Sequence, residues 1–241
     1  MSDALVIIPT YNEIENIEAI LRSVFSLEKE FDVLVVDDAS PDHTADAVKA
    51  LQSEFPKRLN LLNRQDKSGL GSAYIAGFKW ALERDYKFIF EMDADFSHNP
   101  NDLLKLYQAC LSEEVDMAVG SRYVKGITVV NWPLSRILLS YGASLYVRLI
   151  TGMKVKDSTA GFICYCRSVL ESIDLDKVRF VGYAFQIEMK FKATKKGFKI
   201  VEIPVIFKDR EKGKSKMSGN IIYEAIFGVI SLKIKSLFTK S

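Results

Sequence analysis

The sequence predicts an α/β fold built on a mixed, mostly parallel sheet flanked by helices, and two observations carry that prediction. Short β-branched runs alternate with helical stretches through the first half of the chain, the grammar of βαβ units whose sheet is covered on both faces. Three of those runs end in turns dominated by carboxylates instead of the Gly, Asn and Ser of ordinary surface turns.

Residues 5–8 form the first strand, which runs into Pro9-Thr10-Tyr11-Asn12-Glu13, and a helix follows over residues 13–25. Residues 33–36 form the second strand and end in Asp37-Asp38-Ala39-Ser40. A second helix begins after Ser40-Pro41-Asp42 and covers residues 45–54, and residues 59–63 form a third strand. Gly69, Gly71 and Gly77 punctuate a helix that ends near Arg84. Residues 87–92 read as a central strand because Phe88, Ile89 and Phe90 form an uninterrupted apolar run, which ends in Asp93-Ala94-Asp95. Residues 117–119 form a further strand, followed by Gly120-Ser121-Arg122-Tyr123.

On a helix starting near Pro133, Arg136, Ser140, Ser144 and Arg148 recur every fourth residue, a drifting polar stripe through a wide apolar surface. Such a helix suits a bilayer interface or a dock on the sheet. Residues 221–238 are 18 in number and are interrupted by Glu224, Lys233 and Lys235. A spanning helix needs about 20 predominantly apolar residues, so an amphipathic interface helix is expected there instead. The expected division is a catalytic domain over residues 1–218 and a C-terminal membrane-interface extension over residues 219–241, with residues 208–219 as the linker-like stretch.

With 241 residues, 48% of them apolar, the chain can bury one substantial core. Its 33 basic and 31 acidic residues nearly cancel, so no global field argues for nucleic acid. Basic residues concentrate at Lys208, Arg210, Lys212, Lys214 and Lys216, which suits phosphate or anionic lipid, or a solvated loop. Asp3 and a strand follow Met1 at once, leaving no basic n-region or apolar h-region, so a cytoplasmic protein is expected. Cys110, Cys164 and Cys166 are odd in number and lack metal or redox spacing; they read as reduced packing residues.

In open α/β sheets the ligand crevice lies outside the carboxyl ends of the strands, where the three acidic turns fall. Asp93 and Asp95 there form a site for Mg²⁺ or Mn²⁺, hard cations that take oxygen ligands and are completed by substrate phosphates. A metal so placed neutralises charge on a departing diphosphate. A dehalogenase-type aspartyl nucleophile normally closes the first strand, whereas this pair closes the fourth. Sugar-1-phosphate nucleotidylyltransferases carry a Gly-rich, Arg-containing loop where this chain has Pro9-Thr10-Tyr11-Asn12-Glu13. His43 and His98 lie in polar turns with no matching nucleophile, so triad chemistry has no support, and His98 is expected to stabilise its turn.

Those turns, together with Gly69-Leu70-Gly71, Asp93-Ala94-Asp95-Phe96-Ser97-His98, Asn131-Trp132, Asp157-Ser158-Thr159-Ala160-Gly161-Phe162 and Gly182-Tyr183-Ala184-Phe185-Gln186-Ile187-Glu188-Met189, resemble a known family. Phe207-Lys208-Asp209-Arg210, continuing through Gly213 and Ser215 to Lys216-Met217-Ser218, is the narrowest of the signatures. The chain resembles family 2 glycosyltransferases of GT-A (Rossmann-like) fold, in particular the polyprenyl or dolichyl phosphate mannose synthase group.

The resemblance implies inverting transfer of a hexose, mannose from GDP-mannose above others, to a polyprenyl phosphate at the cytoplasmic face of a membrane. It implies that Pro9, Tyr11, Glu13, Val36 and Asp38 hold the base and ribose, and that Asp93, Ala94 and Asp95 hold the diphosphate side. It further implies Asp93 and Asp95 as metal ligands, Arg210 and Lys216 on the diphosphate, and Arg122, Arg136 and Ser140 around the acceptor phosphate, with Asp95 and Arg122 central to catalysis. Ser97 stands where some relatives carry a Gln ligand. A UDP-sugar-dependent enzyme acting on a polyprenyl phosphate or a glycan, and a non-catalytic nucleotide-sugar-binding protein, are the alternatives.

Overall fold

The computed structural model describes residues 2–210 and 220–238 of the chain. The first half alternates as expected: β1 (Ala4–Thr10), α1 (Ile17–Phe25), β2 (Asp32–Asp37), α2 (Thr44–Leu51), β3 (Leu59–Asn63), α3 (Leu70–Leu82) and β4 (Phe88–Glu91). Next come α4 (Asp102–Cys110), β5 (Met117–Ser121), β6 (Val129–Val130) and α5 (Leu134–Thr151). The chain then forms β7 (Ile163–Cys166), α6 (Arg167–Ser172), α7 (Tyr183–Lys195), β8 (Ile200–Pro204), β9 (Phe207–Lys208) and α8 (Asn220–Phe238).

The large sheet has the order β3-β2-β1-β4-β7-β5-β8. Its first four strands run parallel, as do β5 and β8, while β7 lies antiparallel between β4 and β5. The sheet is therefore mixed and mostly parallel, as expected. β6 and β9 form a separate parallel ribbon.

Both faces of the sheet are covered, so β2 is buried along its whole length. Alternation sends Val6, Ile8, Val33, Val35 and Phe90 into a core under α1 and α4. It sends Leu5, Ile7, Leu34, Val36 and Ile89 into a second core under α3 and α7. Close approach sets one glycine: a Cβ on Gly71 would lie 2.7 Å from the Phe185 ring, so only glycine lets the start of α3 meet α7 there.

α1 begins at Ile17 and not at Glu13, because the preceding turn is tied to the β2–α2 loop. The Asn12, Glu13 and Ile14 amides donate to Ser40 Oγ, Thr44 Oγ1 and Asp42 Oδ2, each at 3.0 Å. Long-range bonds thus hold residues that local pattern alone assigns to a helix.

A third cluster joins Val147 of α5, Ile187 and Phe191 of α7, and Val229 and Leu232 of α8. α5 packs on α8 with an inverted polarity. Its polar stripe turns inward, with Ser144 buried and Arg136 paired to Asp209, while Leu134, Leu138, Leu139, Tyr141, Leu145 and Leu149 are exposed. On α8, Phe227, Ile230 and Ile234 share one exposed face. Among the described residues no helix is long and apolar enough to cross a membrane. All three cysteines are free thiols, two of them buried.

Candidate active site

β1, β2 and β4 are adjacent and parallel, so their carboxyl ends open on one edge. Each is followed by a non-glycine residue at positive φ: Asn12 at 55°, Ala39 at 53° and Phe96 at 58°. Such conformations cost on the order of 1–3 kcal/mol each and persist where surrounding bonds over-determine them. At Ala39 those bonds come from Asp37, which accepts from Thr10 Oγ1 at 2.8 Å and from the Ser40 amide at 2.9 Å. Asp37 is thus consumed in shaping the loop. Asp38 pairs with Arg64 at 2.9 Å, yet burial outweighs that pair and raises its pKa. Tyr11 lies under Lys67, 4.2 Å from the ring centre, and Glu13 accepts from Asn16 Nδ2 at 3.0 Å. Pro9 and Val36 are register partners across β1 and β2.

At the end of β4, Asp93 accepts from the Tyr74 hydroxyl at 3.4 Å. Burial first, then the charges of Asp95 and Glu91, push its carboxyl up to about 7. Asp95 accepts from the Ser97 amide at 3.0 Å and pairs with Arg210 at 2.9 Å. The donor set is therefore hard oxygen with an excess of negative charge, which suits a divalent cation. Among the described residues no group of three or more His, Cys, Asp or Glu is arranged to hold a metal. Asp93 and Asp95 are the carboxylates here that could hold a cation, with substrate oxygens to complete its shell. His98 stabilises its turn, as expected, but from a buried position and not a polar surface. It is buried and stacked on Phe162 at 4.8 Å, accepts from the Asp93 amide at 3.5 Å, and is held neutral because burial lowers its pKa to about 4.

After β5, Arg122 is clamped by a residue whose role the sequence did not reveal. Its Nε and Nη2 donate to the two Asp157 oxygens at 2.7 and 2.6 Å, and its amide also reaches Asp157, at 2.9 Å. Thr159 Oγ1 accepts from Nη2 at 2.9 Å. Asp157 is fully buried; burial raises its pKa, but the Arg122 bonds and charge outweigh that and hold it below the usual range. Arg136 lies 4.0 Å from the Trp132 ring centre and pairs with Asp209 at 2.8 Å, and Ser140 accepts from the Tyr123 hydroxyl at 2.8 Å.

Two cavities meet these residues. One, of about 580 Å³, is lined by Asp95, Ser97, Lys208 and Asp209 and by Asn16 and Ala19. The other, of about 510 Å³, brings together Asp93, Arg122, Arg136 and Ser140. Its wall continues over Trp132, Phe207 and Val147 to Leu138 and Leu139, which are exposed. Pro9, Tyr11, Glu13, Val36 and Asp38 line neither of these two cavities; they sit at the neighbouring ends of β1 and β2. Ala94 is buried between the two aspartates. Lys216 lies outside the described residues. Asp157, Thr159 and Trp132 occur in sequence motifs already noted, but no periodicity or spacing predicts that they wrap Arg122.

Comparison with known proteins identifies the family and the fold. Residues 5–174 match the profile of Glycosyl transferase family 2. An undecaprenyl-phosphate mannosyltransferase of Micrococcus luteus is 48% identical over 93% of this chain and 91% of its own length. A polyprenol monophosphomannose synthase of Mycolicibacterium smegmatis is 47% identical over 96% of this chain and 87% of its own. Among solved structures, glucosyl-3-phosphoglycerate synthase of Mycobacterium tuberculosis, with Mn²⁺, UDP and its product, has a TM-score of 0.70 at 16% identity, covering 99% of this chain and 81% of that one. A mannosyltransferase of Pyrobaculum calidifontis, with GDP-Man and Mn²⁺, has a TM-score of 0.63 at 17% identity, covering 99% and 65%. The fold is thus that of the GT-A enzymes, and the chain belongs to glycosyl transferase family 2.

Proposed function

We propose that this protein transfers mannose from GDP-mannose to a polyprenyl phosphate, with inversion at the anomeric carbon, while lying on a membrane surface. The observation that carries the reading is the second cavity. Its lining combines the Asp93 carboxylate, two arginines and an apolar wall that includes exposed leucines of α5. That combination suits a diphosphate leaving group, an acceptor phosphate and a lipid tail. The relatives named for the same chemistry support it.

A phosphate monoester has its second pKa near about 6, so at neutral pH the acceptor already presents an anionic oxygen. No poised general base is required, which agrees with a His98 whose pKa burial lowers to about 4, leaving it a weak base. Arg122 and Arg136 hold the acceptor so that this oxygen faces the anomeric carbon; the C–O bond forms as the bond to the diphosphate breaks. The pair Arg122–Asp157 keeps the guanidinium plane fixed, so its contribution is orientation. Asp93 and Asp95 are the residues that would hold Mg²⁺ or Mn²⁺, which supplies Lewis-acid neutralisation of the departing diphosphate. Pro9, Tyr11, Glu13, Val36 and Asp38 hold the nucleoside, and Arg210 with Lys216 hold the diphosphate.

Residues 1–218 form the catalytic domain in this reading, and residues 219–241 extend the membrane-facing surface that α5 begins. An amphipathic helix with its polar stripe inward and its leucines outward is stable where those leucines meet lipid. The Leu145→Asp/Leu149→Asp double variant, at two exposed leucines outside the cavity wall, should therefore lose vesicle binding by on the order of 100-fold, given about 1.5–3 kcal/mol for each buried leucine. Transfer to a short, water-soluble prenyl phosphate should be kept. Unchanged co-sedimentation with anionic vesicles would remove the membrane face.

The purified protein, given Mn²⁺, a polyprenyl phosphate and GDP-mannose, is expected to yield a lipid product heavier by one hexose. Chelation with EDTA should stop its formation. Product from UDP-sugars alone would overturn the donor assignment, and undiminished turnover in EDTA would overturn the metal.

A further inference from the structure

Gln186, on the first turn of α7, is a buried amide with one heteroatom engaged and the other idle. Its Nε2 donates to Glu91 Oε2, and the other Glu91 oxygen accepts from the Tyr165 hydroxyl at 2.8 Å. Its carbonyl Oε1 has no hydrogen-bond partner, although the residue is only 3% exposed. A carboxylate accepts and does not donate, so the bond to Glu91 fixes which way the planar amide is turned and sets the oxygen away from Glu91. An acceptor left unpaired in the interior is costly, and its persistence points to a partner that arrives with a ligand.

The surroundings indicate which ligand. Gln186 lines the cavity of about 510 Å³ together with Asp93 and Arg122, which serve the diphosphate and the acceptor phosphate in the proposed reaction. The other polar side chains of that lining have partners: His98 bonds the Asp93 amide, Arg122 and Thr159 bond each other, and Ser140 bonds the Tyr123 hydroxyl. Two buried atoms of the lining are left without one among the described residues, Gln186 Oε1 and Trp132 Nε1. The Trp132 ring lies against Arg136, and its N–H is a donor that suits a phosphate. The Gln186 oxygen is an acceptor beside a carboxylate, which repels phosphate and suits a hydroxyl.

The amide is also held firmly. Lys190, fully buried, donates to the Ala160 carbonyl at 2.6 Å and to the Gln186 carbonyl at 3.3 Å, tying the start of α7 to the segment before β7. A Cβ on the next residue, Gly161, would stand 3.4 Å from Gln186 Nε2, so that segment lies directly against the amide. Its position is fixed before a ligand arrives, as discrimination between similar hydroxyls requires.

We infer that Gln186 is a specificity-determining residue whose side-chain carbonyl accepts a hydrogen bond from one hydroxyl of the hexose in transit. This rests on the proposed transfer reaction, since it needs a hexose between Asp93 and Arg122. A sugar that lacks that hydroxyl, or turns it away, leaves the oxygen unpaired, and a single neutral bond selects against it on the order of 10-fold.

The test is steady-state transfer to farnesyl phosphate by the full-length protein with Mn²⁺, from GDP-mannose and from GDP-deoxymannoses that lack each free hydroxyl in turn. In the wild type one analogue should lose on the order of 10-fold in kcat/KM beyond the others. Gln186→Met, which keeps the length without the amide, should lose a similar factor with GDP-mannose and no longer distinguish that analogue from it. Because this variant leaves Glu91 with one partner fewer, Glu91→Leu/Gln186→Leu, which removes both polar groups together, repeats the comparison in an apolar setting. A purely structural role would lower kcat/KM for all donors alike and keep the wild-type penalty for each analogue, which overturns the inference. So does a wild type that transfers every deoxy sugar as fast as mannose. Either result leaves the transfer reaction standing, whereas no transfer from GDP-mannose by the wild type removes the proposed function and this inference with it.

Discussion

Asp95→Ala is expected to lower turnover at least about a thousand-fold, which corresponds to on the order of 4 kcal/mol of lost transition-state stabilisation. In the proposed reaction Asp95 is one of two carboxylates at the end of β4 that would hold the cation, and among the described residues no group of three or more acidic, histidine or cysteine ligands offers a substitute. The fold should survive the change. The side chain accepts one amide bond, from Ser97, and its charge contributes to the strain on Asp93, which removal relieves. Asp95→Asn keeps the shape and the Ser97 bond but gives up the charge, so it should be nearly as inactive. Near-normal turnover in either variant, with Mn²⁺ titrated to saturation, would remove Asp95 from the metal site.

Arg122→Ala is expected to reduce both stability and acceptor use. Removing the guanidinium leaves Asp157 buried and unpaired, a change that costs about 3–5 kcal/mol in comparable buried pairs. For a chain of this size that is a fall in Tm on the order of 10 °C. Arg122→Ala/Asp157→Ala, which removes both charges, should recover much of the loss. The sign of the pH dependence follows from Asp157, whose folded pKa is depressed below the ordinary 3.8. A carboxyl of that kind contributes stability that is complete at neutral pH and is lost as pH falls through the folded value. The wild type should therefore lose this contribution only in acid below 3.8, and the double variant should lack that part of the acid dependence. In steady-state kinetics, Arg122→Ala should raise the KM for the prenyl phosphate more than that for the nucleotide sugar. The reverse pattern would move Arg122 to the donor side.

Much of this architecture was legible in the residues. The apolar run Phe88-Ile89-Phe90 and its terminal acids located β4 and the aspartate pair, because a strand buried on both faces admits little else. Residues 59–63 formed the strand their pattern predicted. The start of α1 was misplaced because bonds from Ser40, Asp42 and Thr44, some thirty residues on, hold its first residues out of helix. The stripe Arg136, Ser140, Ser144 and Arg148 was visible as a period, yet a period does not say which face turns inward. Only the docking of α8 and α7 shows that the polar side of α5 is the inner one.

Local chemistry thus dictated the strands, the acidic turns at their ends and the residue types from which a cation and two phosphates could be held, since these depend on neighbours within a few positions of the chain. Tertiary packing alone decided that β7 enters antiparallel beside β4, that Asp157 clamps Arg122, and that Asp209 and Arg210 face opposite halves of the site. The physical reason is separation: these contacts join residues 35 to more than 70 positions apart, and no periodicity in the chain reaches so far.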